Sequence, residues 1–250
     1  MEINRERFIS DIDHIGFTVH EDIFDKEKIA ELNEYAKTLP PERGHDKNLK
    51  WHCWNTVSKM DDPHKQIDWA YYWTAQARHS YIEKIKEHLS PMGNAAFGEH
   101  NWVWYIQDFI VLEPGMNFIR PHIDTPYRFK EFKYAEGLLG LQFMVMMCDF
   151  NEHNGATGYV PGTHKYTYDG IRMAEHDNQD VWRMFFSDNY KQYTASAGSF
   201  VCWHPRLIHS TMPNKSNETR RALLLHIAEK SAARKLEAID PQFNYSLRTT

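Results

Sequence analysis

The chain lacks the features that mark membrane, disulfide-rich and nucleic-acid-binding proteins. None of its apolar runs approaches the ~20 residues that a helix needs to cross a bilayer. It has only 3 cysteines, an odd number set far apart, which indicates reduced core thiols rather than a disulfide framework. Its net charge is −5 and its basic residues are scattered, so it lacks the basic stripe that is typical of nucleic-acid-binding proteins.

The amino-terminal segment does not have the pattern of a secretory signal peptide. The segment from Met1 to Arg7 is charged and no apolar segment follows it, so we predict no secretory signal peptide. Together with the reduced cysteines, this favours a cytoplasmic protein. The charge pattern and the short apolar runs disfavour nucleic acid and a membrane as partners, and no pattern in the chain indicates an oligomeric state.

Length and periodicity favour a domain that contains both helices and strands. The chain has 250 residues, of which 42% are hydrophobic, so it can bury a sizeable core. Helical periodicity comes first. Asp25 is a typical cap for one helix, and a longer helix is expected at about Gln66–Leu89, ended by Ser90–Gly93. Strand-like segments dominate from Trp102 onward.

The later part of the chain predicts an antiparallel β core. Roughly six to eight short segments rich in β-branched and aromatic residues are separated by turns, and no strand–helix alternation indicates a parallel sheet. This pattern is typical of a double-stranded β-helix, the cupin-like jelly roll, with helices on one face. We therefore expect an α+β fold and a single domain at 1–250, with a helical part at about 1–95 packed on a jelly-roll core at about 96–230.

Two histidines and one aspartate are candidate metal ligands and catalytic residues. His122 and Asp124 follow a short strand-like segment, Asn117–Arg120, and residues two apart in an extended chain point to the same side. His209, near the end of a later strand, would complete a face of two histidines and one carboxylate. This ligand set is typical of Fe(II) sites that keep positions open for a chelating co-substrate and O2.

The pattern His-x-Asp is weak evidence by itself. With 15 histidines in the chain, chance alone produces about one such pair. The segment His20-Glu21-Asp22 is a second example, which we interpret as a strand end and a turn. The residues around His122 and Asp124 therefore decide whether that pair binds a metal.

An arginine and a threonine add an anion site to the candidate metal site. Arg220 begins the strand after His209, and its planar guanidinium can hold a carboxylate through two hydrogen bonds. Thr211 lies two residues after His209, on the same side, and can donate its hydroxyl to that carboxylate. Because strand residues alternate, only one of Arg220 and Arg221 should face the pocket, and the spacing favours Arg220. A metal and an anion clamp so placed fit a five-carbon keto-diacid.

Several segments together resemble one enzyme family. The segment Asn154–Lys165, NGATGYVPGTHK, resembles the NG…PGSH signature of the phytanoyl-CoA dioxygenase family of Fe(II)- and 2-oxoglutarate-dependent oxygenases. Further segments that resemble the family are Gly16–Val19 with the helix after it, His204–His209, Asn214 and Arg220. The resemblance covers about Ile12–Ile227. The family often carries His-Gln-Asp where this chain has His-Ile-Asp.

The resemblance implies a double-stranded β-helix core and an oxidative enzyme. His122, Asp124 and His209 would bind Fe(II), and Arg220 would bind the distal carboxylate of 2-oxoglutarate, with Thr211 at a position where the family often has a hydroxyl. The implied reaction is the hydroxylation of a small metabolite by O2 with release of succinate and CO2. A carboxylate at position 124 favours hydroxylation, because related halogenases have a small residue there and bind chloride in its place.

Two other functions stay open. A cupin-like metal-binding protein or non-oxidative metalloenzyme would use the same three ligands without needing Arg220. A nucleic-acid or protein hydroxylase of the wider superfamily is disfavoured by the acidic balance of charges and the lack of a basic stripe.

Several further residues are weaker candidates. Gln107 and Tyr105, on the strand before the metal motif, are expected to alternate toward one face and to contact the co-substrate. Tyr127 and Arg128 lie just past the metal motif, where a contact with the substrate is expected. His164, the histidine of the family signature, is interpreted as structural at its turn.

Overall fold

The computed structural model of the protein describes most of the chain. The described residues are 4–39, 57–59, 62–67, 72–75, 79–115, 121–132, 134–166 and 188–239. The helices are α1 (Arg5–His14), α2 (Lys26–Thr38), α3 (Ser80–Phe97) and α4 (Lys230–Ile239). The strands are β1 (Phe17–His20), β2 (Val57–Lys59), β3 (Asp62–Ile67), β4 (Tyr72–Ala75), β5 (Trp102–Leu112), β6 (Gly140–Met146), β7 (Gly158–Tyr159), β8 (Lys191–Gln192), β9 (Phe200–Trp203), β10 (His209–Ser210) and β11 (Arg220–Glu229).

Two antiparallel sheets form the core of the fold. The larger sheet has the order β1–β9–β6–β11–β5–β4, and the smaller one has the order β10–β7–β8. β11 is an inner strand of the larger sheet and pairs with β6 on one side and with β5 on the other. β2 and β3 pair separately with each other. The predicted α+β class with a mostly antiparallel, double-sheet core is confirmed.

The two faces of the larger sheet meet different partners. Leu223, Leu225 and Ile227 of β11 pack with apolar residues of α1, α2 and α3. Ala222 points to the opposite face and packs with Trp203 in a second cluster, because side chains alternate along a strand. We call this second cluster the inner cluster. It consists of Met144, Met146, Phe150, Ala156, Tyr159, Tyr193, Val201, Trp203, Leu207 and Ala222.

Helix α2 forms as the sequence predicts. Asp25 caps it by accepting hydrogen bonds from two backbone N–H groups of the first turn. Ile29, Leu32 and Ala36 are its buried residues and lie at the predicted helical spacing. The capping residue and the apolar stripe thus specify both the start of the helix and the face that it buries.

The helix predicted at about Gln66–Leu89 is wrong in its first half. Residues Tyr72–Ala75 form β4, which pairs with β5 in the larger sheet, so the part at about 1–95 is not helical throughout. The aromatic and β-branched residues of this stretch favour a strand over a helix. Helix α3 begins only at Ser80, after His79, whose side chain caps it.

The predicted stop of this helix at Ser90–Gly93 is also wrong. Helix α3 continues through Pro91 and ends before Gly98, which adopts a φ of +83°. Trp102 packs directly on Gly93, where a Cβ would lie only 2.5 Å from the indole. This contact packs the last turns of the helix against the start of β5.

A buried histidine connects β9 to the turn between α1 and β1. The backbone N–H of His204 donates to the Gly16 carbonyl at 2.8 Å, and its Nδ1 accepts from the backbone N–H of Arg206 at 3.0 Å. The rings of Tyr127 and His164 lie 5.4 and 5.2 Å from its imidazole. Burial, reinforced by the charges of His164 and Arg206, lowers the pKa of His204 to about 3.

We expect the fold to lose stability in acid, in part through His204. The unfolded chain takes up a proton on this imidazole near pH 6.5, whereas the folded chain takes it up only near pH 3. The contribution of His204 to the free energy of unfolding is therefore complete above pH 6.5. It is lost as the pH falls toward 3, by up to ~1.4 kcal/mol per pH unit. Urea unfolding at about pH 7.5 and about pH 5 measures it.

The matched variants are His204→Asn and His14→Asn. His204→Asn should be less stable at neutral pH and should show a smaller loss of unfolding free energy in acid. His14→Asn removes an exposed imidazole and keeps His204, so its unfolding free energy should fall in acid as that of the wild type does. If the unfolding free energy of His204→Asn depended on pH as that of the wild type does, His204 would not be a source of the acid sensitivity.

Candidate active site

The candidate metal ligands lie on two neighbouring backbone segments. His122 and His209 exchange backbone hydrogen bonds of 2.9 and 3.1 Å in an antiparallel bridge. The backbone N–H of Asp124 donates to the Pro205 carbonyl at 2.7 Å. These bonds fix the metal motif against β10 and the turn before it. The strand predicted at Asn117–Arg120, just before the motif, lies outside the described residues.

The three side chains converge as the sequence predicts. One potential ligand atom from each of His122, Asp124 and His209 lies within 4.8 Å of the others. Nε2 of His209 is 3.1 Å from one carboxylate oxygen of Asp124, and Nε2 of His122 is 3.7 Å from the other. Side-chain exposure falls from 25% for His122 through 17% for Asp124 to 8% for His209, so the cluster opens to solvent on the His122 side. These three residues can contact one metal ion.

The hydrogen bonds and charges of the cluster fit a divalent cation. Nδ1 of His209 lies 3.0 Å from the Leu207 carbonyl, which only accepts, so Nδ1 carries a proton and Nε2 is directed toward Asp124. Burial by itself would raise the pKa of Asp124, but the imidazoles of His209 and His122 hold it well below its usual value. Burial by itself would lower the pKa of His209, but Asp124 raises it overall. An ionised carboxylate between two imidazoles suits a transition-metal ion.

The sequence interpretation missed a further contact of Asp124. The indole N–H of Trp203 donates to Oδ2 of Asp124 at 3.2 Å, the same oxygen that His209 approaches. Trp203 is buried, and a buried indole N–H normally needs an acceptor. In the sequence, the signal for this contact is a tryptophan at the end of a strand, six residues before the candidate ligand His209, because its indole N–H needs an acceptor once it is buried. The bond fixes the orientation of the carboxylate.

Arg220 is a buried cation that finds no hydrogen-bond partner in the described part of the chain. Its exposure is 0%, and none of its three guanidinium nitrogens has a hydrogen-bond partner among the described residues. The guanidinium carbon lies 4.6 Å from the ring centre of Phe150. Burial lowers the pKa of Arg220 to about 10, which still leaves it protonated at neutral pH. Since an uncompensated buried charge is costly, this arrangement favours an anionic ligand.

The alternation of β11 separates Arg220 from Arg221. Arg220 has the same parity along the strand as Ala222, a member of the inner cluster, so it lies on the face that carries Trp203. Arg221 has the opposite parity and is only half-buried. Thr211, the other predicted anion ligand, is buried just after β10. The assignment of the carboxylate to Arg220 and Thr211 stays a prediction.

A β-bulge changes which residues of β5 face the inner cluster. The register between β5 and β11 shifts at Tyr105, so Tyr105 and Gln107 do not alternate toward one face as predicted. Gln107 pairs with Leu225, whose side chain packs with the helices, and the next residue, Asp108, takes the inner face. This register places Gln107 on the helix-covered face, and its contact with the co-substrate stays a prediction.

Two tyrosines that were predicted to contact ligands are bonded to the backbone instead. The Tyr105 hydroxyl donates to the Thr125 carbonyl at 3.2 Å. The Tyr127 hydroxyl donates to the Gly137 carbonyl and accepts from the backbone N–H of Leu139. Both rings are buried. Their hydroxyls therefore stabilise the segments around the metal motif, and the structure places neither of them as a ligand contact.

The last two predicted residues differ in exposure. Arg128 is exposed, with its guanidinium 5.1 Å from the ring centre of Phe129, and its contact with a substrate stays a prediction. His164 is buried, and its Nε2 is 2.9 Å from the Asp13 carbonyl, to which it donates. His164 thus ties the signature turn to the end of α1 and does not belong to the metal cluster, as expected.

A two-sheet jelly roll with two histidines and one carboxylate at a common point is typical of non-haem metal oxygenases. The sequence profile of one such family, Phytanoyl-CoA dioxygenase (PhyH), matches residues 12–222. The chain therefore belongs to the phytanoyl-CoA dioxygenase family, and the predicted resemblance is confirmed. It is an enzyme of the 2-oxoglutarate-dependent oxygenase superfamily, so the cofactors expected from the sequence, Fe(II), 2-oxoglutarate and O2, are those of its family.

Solved structures show the same fold at low sequence identity. The α-ketoglutarate-dependent epimerase SnoN from nogalamycin biosynthesis is 16% identical, with a TM-score of 0.63, over 90% of this chain and 83% of that one. The α-ketoglutarate-dependent carbocyclase SnoK from the same biosynthesis is 16% identical, with a TM-score of 0.65, over 92% of this chain and 87% of that one. AviO1 from Streptomyces viridochromogenes Tue57 is 18% identical, with a TM-score of 0.61, over 92% and 96% of the two chains.

A search of curated proteins and a search for membrane-spanning helices in the described residues both found nothing. No curated protein matches the chain in sequence. Among the helices in the described part of the chain, none combines the length and the apolar character of a membrane-spanning segment.

Replacing Trp203 by phenylalanine should weaken metal binding. Trp203→Phe keeps an aromatic ring but removes the N–H that orients Asp124, and loss of such a supporting bond typically costs about 10- to 100-fold in affinity. Anaerobic titration with Fe(II), and with Co(II) as a stable substitute, measures the dissociation constant. Trp104, half-buried on the helix-covered face, gives the control Trp104→Phe, which should bind metal as the wild type does. Equal affinity in all three proteins would contradict the orienting role.

Proposed function

We propose that the protein hydroxylates a small-molecule metabolite in a reaction that consumes O2 and 2-oxoglutarate and releases succinate and CO2. The observation that carries this proposal is the buried guanidinium of Arg220, which has no hydrogen-bond partner among the described residues. It lies on the same sheet face as Trp203, the residue bonded to Asp124. A site for an anion and a site for a metal thus share one interior.

The donor set suits Fe(II). Two imidazoles and one carboxylate occupy one face of the ion and leave the remaining positions to a co-substrate and O2. His122 and His209 would bind through nitrogen and Asp124 through its carboxylate, with Trp203 keeping that carboxylate in place. Bound Fe(II) together with 2-oxoglutarate supplies the oxidising power for attack on a C–H bond.

The presence of two sites on one sheet face suits a keto-diacid. In the register of the larger sheet, Trp203 pairs with Gln142, which pairs with His226 on β11. The row of Trp203 therefore lies further along β11 than the row of Arg220, on the same face of the sheet. 2-Oxoglutarate has the two ends this requires, a keto acid to chelate the metal and a carboxylate for Arg220.

The inner cluster would also keep water away from a ligand bound between the two sites. The inner cluster is mostly apolar and fully covered, so a ligand that lies against it is separated from water. Exclusion of water strengthens the ionic contact of Arg220 and protects a reactive centre from side reactions. The more exposed His122 marks the side on which a metabolite would approach.

Two alternatives are distinguishable from hydroxylation. A cupin-like binding protein or non-oxidative metalloenzyme would have no use for Arg220, and the cost of burying that charge unpaired argues against it. Oxidative epimerisation or ring closure is the second candidate, because the solved structures of this fold include an epimerase and a carbocyclase. Isotopically labelled O2 separates them, since only hydroxylation places one of its atoms in the main product.

Removing the carboxylate ligand should abolish the reaction. Asp124→Ala takes away the one anionic ligand of the cluster, so Fe(II) binding and succinate release from 2-oxoglutarate should both be lost. The measurement is succinate release under air, with a set of candidate metabolites, by mass spectrometry. Glu113→Ala, which removes a carboxylate outside the metal cluster, is the control and should behave as the wild type does. Full turnover by Asp124→Ala would exclude Asp124 as a ligand.

Removing the buried guanidinium should lower the affinity for 2-oxoglutarate without lowering the stability of the ligand-free protein. Arg220→Met should weaken the binding of 2-oxoglutarate to the Fe(II)-loaded protein by at least ~30-fold, or ~2 kcal/mol, because it deletes one partner of a buried charge pair. The ligand-free protein should be as stable as the wild type or more so, since an unpaired buried charge disappears. Anaerobic calorimetric titration and urea unfolding measure the two effects.

The neighbouring residue provides the control for this prediction. Arg221→Met removes the same charge from the other face of β11 and should leave the affinity for 2-oxoglutarate within about two-fold. If both variants bind 2-oxoglutarate like the wild type, the anion site is not at the start of β11.

A further inference from the structure

Another buried polar group of the interior, the Tyr193 hydroxyl, has no hydrogen-bond partner in the part of the chain that the structure describes. Tyr193 lies just after β8 and is 1% exposed, and its hydroxyl has no hydrogen-bond partner among the described residues. The buried hydroxyls of Tyr105 and Tyr127 differ, because both bond to backbone groups. An unsatisfied buried hydroxyl is costly and uncommon, so each case points to a missing partner.

The ring of Tyr193 is held firmly by aromatic neighbours. It stacks on Tyr159 with the ring centres 4.2 Å apart and the planes 9° from parallel. The ring centre of Phe17 lies 5.4 Å away, and that of Trp203 lies 6.4 Å away. These contacts fix the direction of the hydroxyl without bonding to it, as expected for a group that is kept ready for a ligand.

The inner cluster connects the ring of Tyr193 to the metal ligands through Trp203, whose ring centre also lies 5.4 Å from that of His209. Trp203, the neighbour of Tyr193, bonds to Asp124 at 3.2 Å, whereas Phe150, at the other end of the cluster, lies against Arg220. Burial is the main cause that raises the pKa of Tyr193 well above its usual value, and Tyr159, Cys202 and Asp124 add to it in that order. The phenol therefore keeps its proton and can act only as a hydrogen-bond donor to an anion.

We propose that the Tyr193 hydroxyl donates a hydrogen bond to the metal-end carboxylate of the 2-oxo acid co-substrate. It would be a third anchoring group, beside the metal, which binds the keto acid, and Arg220, which binds the distal carboxylate. This inference rests on the proposed function, since it needs 2-oxoglutarate in the inner cluster. Tyr193 is thus a co-substrate-binding residue that no motif of the sequence marks.

The variant Tyr193→Phe tests the proposal because it changes two properties in opposite ways. The affinity of the Fe(II)-loaded protein for 2-oxoglutarate should fall by about 10- to 100-fold, as is typical when a bond to a charged group is lost. The affinity for Fe(II) alone should stay within about two-fold. The urea midpoint of the ligand-free protein should stay the same or rise, because an unsatisfied hydroxyl has been removed.

Oxalate separates the two ends of the co-substrate. It carries the chelating end of the keto acid but lacks the distal carboxylate. Tyr193→Phe should therefore weaken oxalate and 2-oxoglutarate by a similar factor, whereas Arg220→Met should weaken 2-oxoglutarate and spare oxalate. If Tyr193→Phe weakens only 2-oxoglutarate, the hydroxyl belongs to the distal end and the proposal is wrong.

Tyr127→Phe is the matched control. It makes the same chemical change at a buried hydroxyl that does have partners, so it should lower the urea midpoint and leave both affinities unchanged. A lowered midpoint or a failure to fold in Tyr193→Phe would show that its hydroxyl bonds to the protein, and would overturn the proposal. Unchanged affinities in Tyr193→Phe would do the same. If the wild type binds neither 2-oxoglutarate nor oxalate, the proposed function itself fails.

Discussion

The alternation of side chains along β11 is the constraint on which the fold and the candidate site both depend. Leu223, Leu225 and Ile227 hold the helices on one face of the larger sheet. Ala222 and Arg220, on the other face, belong to the interior between the sheets. A slip of one residue in the register would expose the helix-binding face and move the guanidinium out of the interior. Since β6 and β5 pair with the strand on both sides, that register is strongly specified.

The interior combines an apolar surface with polar groups that the described residues leave without hydrogen bonds. The described residues offer no acceptor to the guanidinium of Arg220 or to the hydroxyl of Tyr193. Other buried polar groups nearby do have partners, such as Trp203 on Asp124 and Tyr105 on the Thr125 carbonyl. The contrast is between groups whose hydrogen bonds lie within the protein and groups that, on our proposal, a ligand would satisfy. On that proposal, the ligand would restore the stability that is given up at the unsatisfied positions.

Sequence patterns predicted the parts that local chemistry controls. The cap of α2, the antiparallel core and the convergence of His122, Asp124 and His209 follow from capping residues, alternation and spacing. The remaining features depend on contacts between distant segments. The bulge at Tyr105 reverses the alternation of β5, and pairing with β5 turns a stretch with helical periodicity into β4. The four residues of β9 are all buried, so no alternation singled out Trp203.

The bridge between His122 and His209 also affects how the protein acquires its metal. The two ligands are far apart in the chain, and only the backbone pairing of their segments brings them together. The unfolded chain retains only the short His122-x-Asp124 segment and should hold a metal weakly. Metal binding and folding are therefore linked by mass action, and a metal concentration of 100 times the dissociation constant would add ~2.7 kcal/mol to the stability of the fold. In a cell, the supply of iron would then influence how long the folded protein persists.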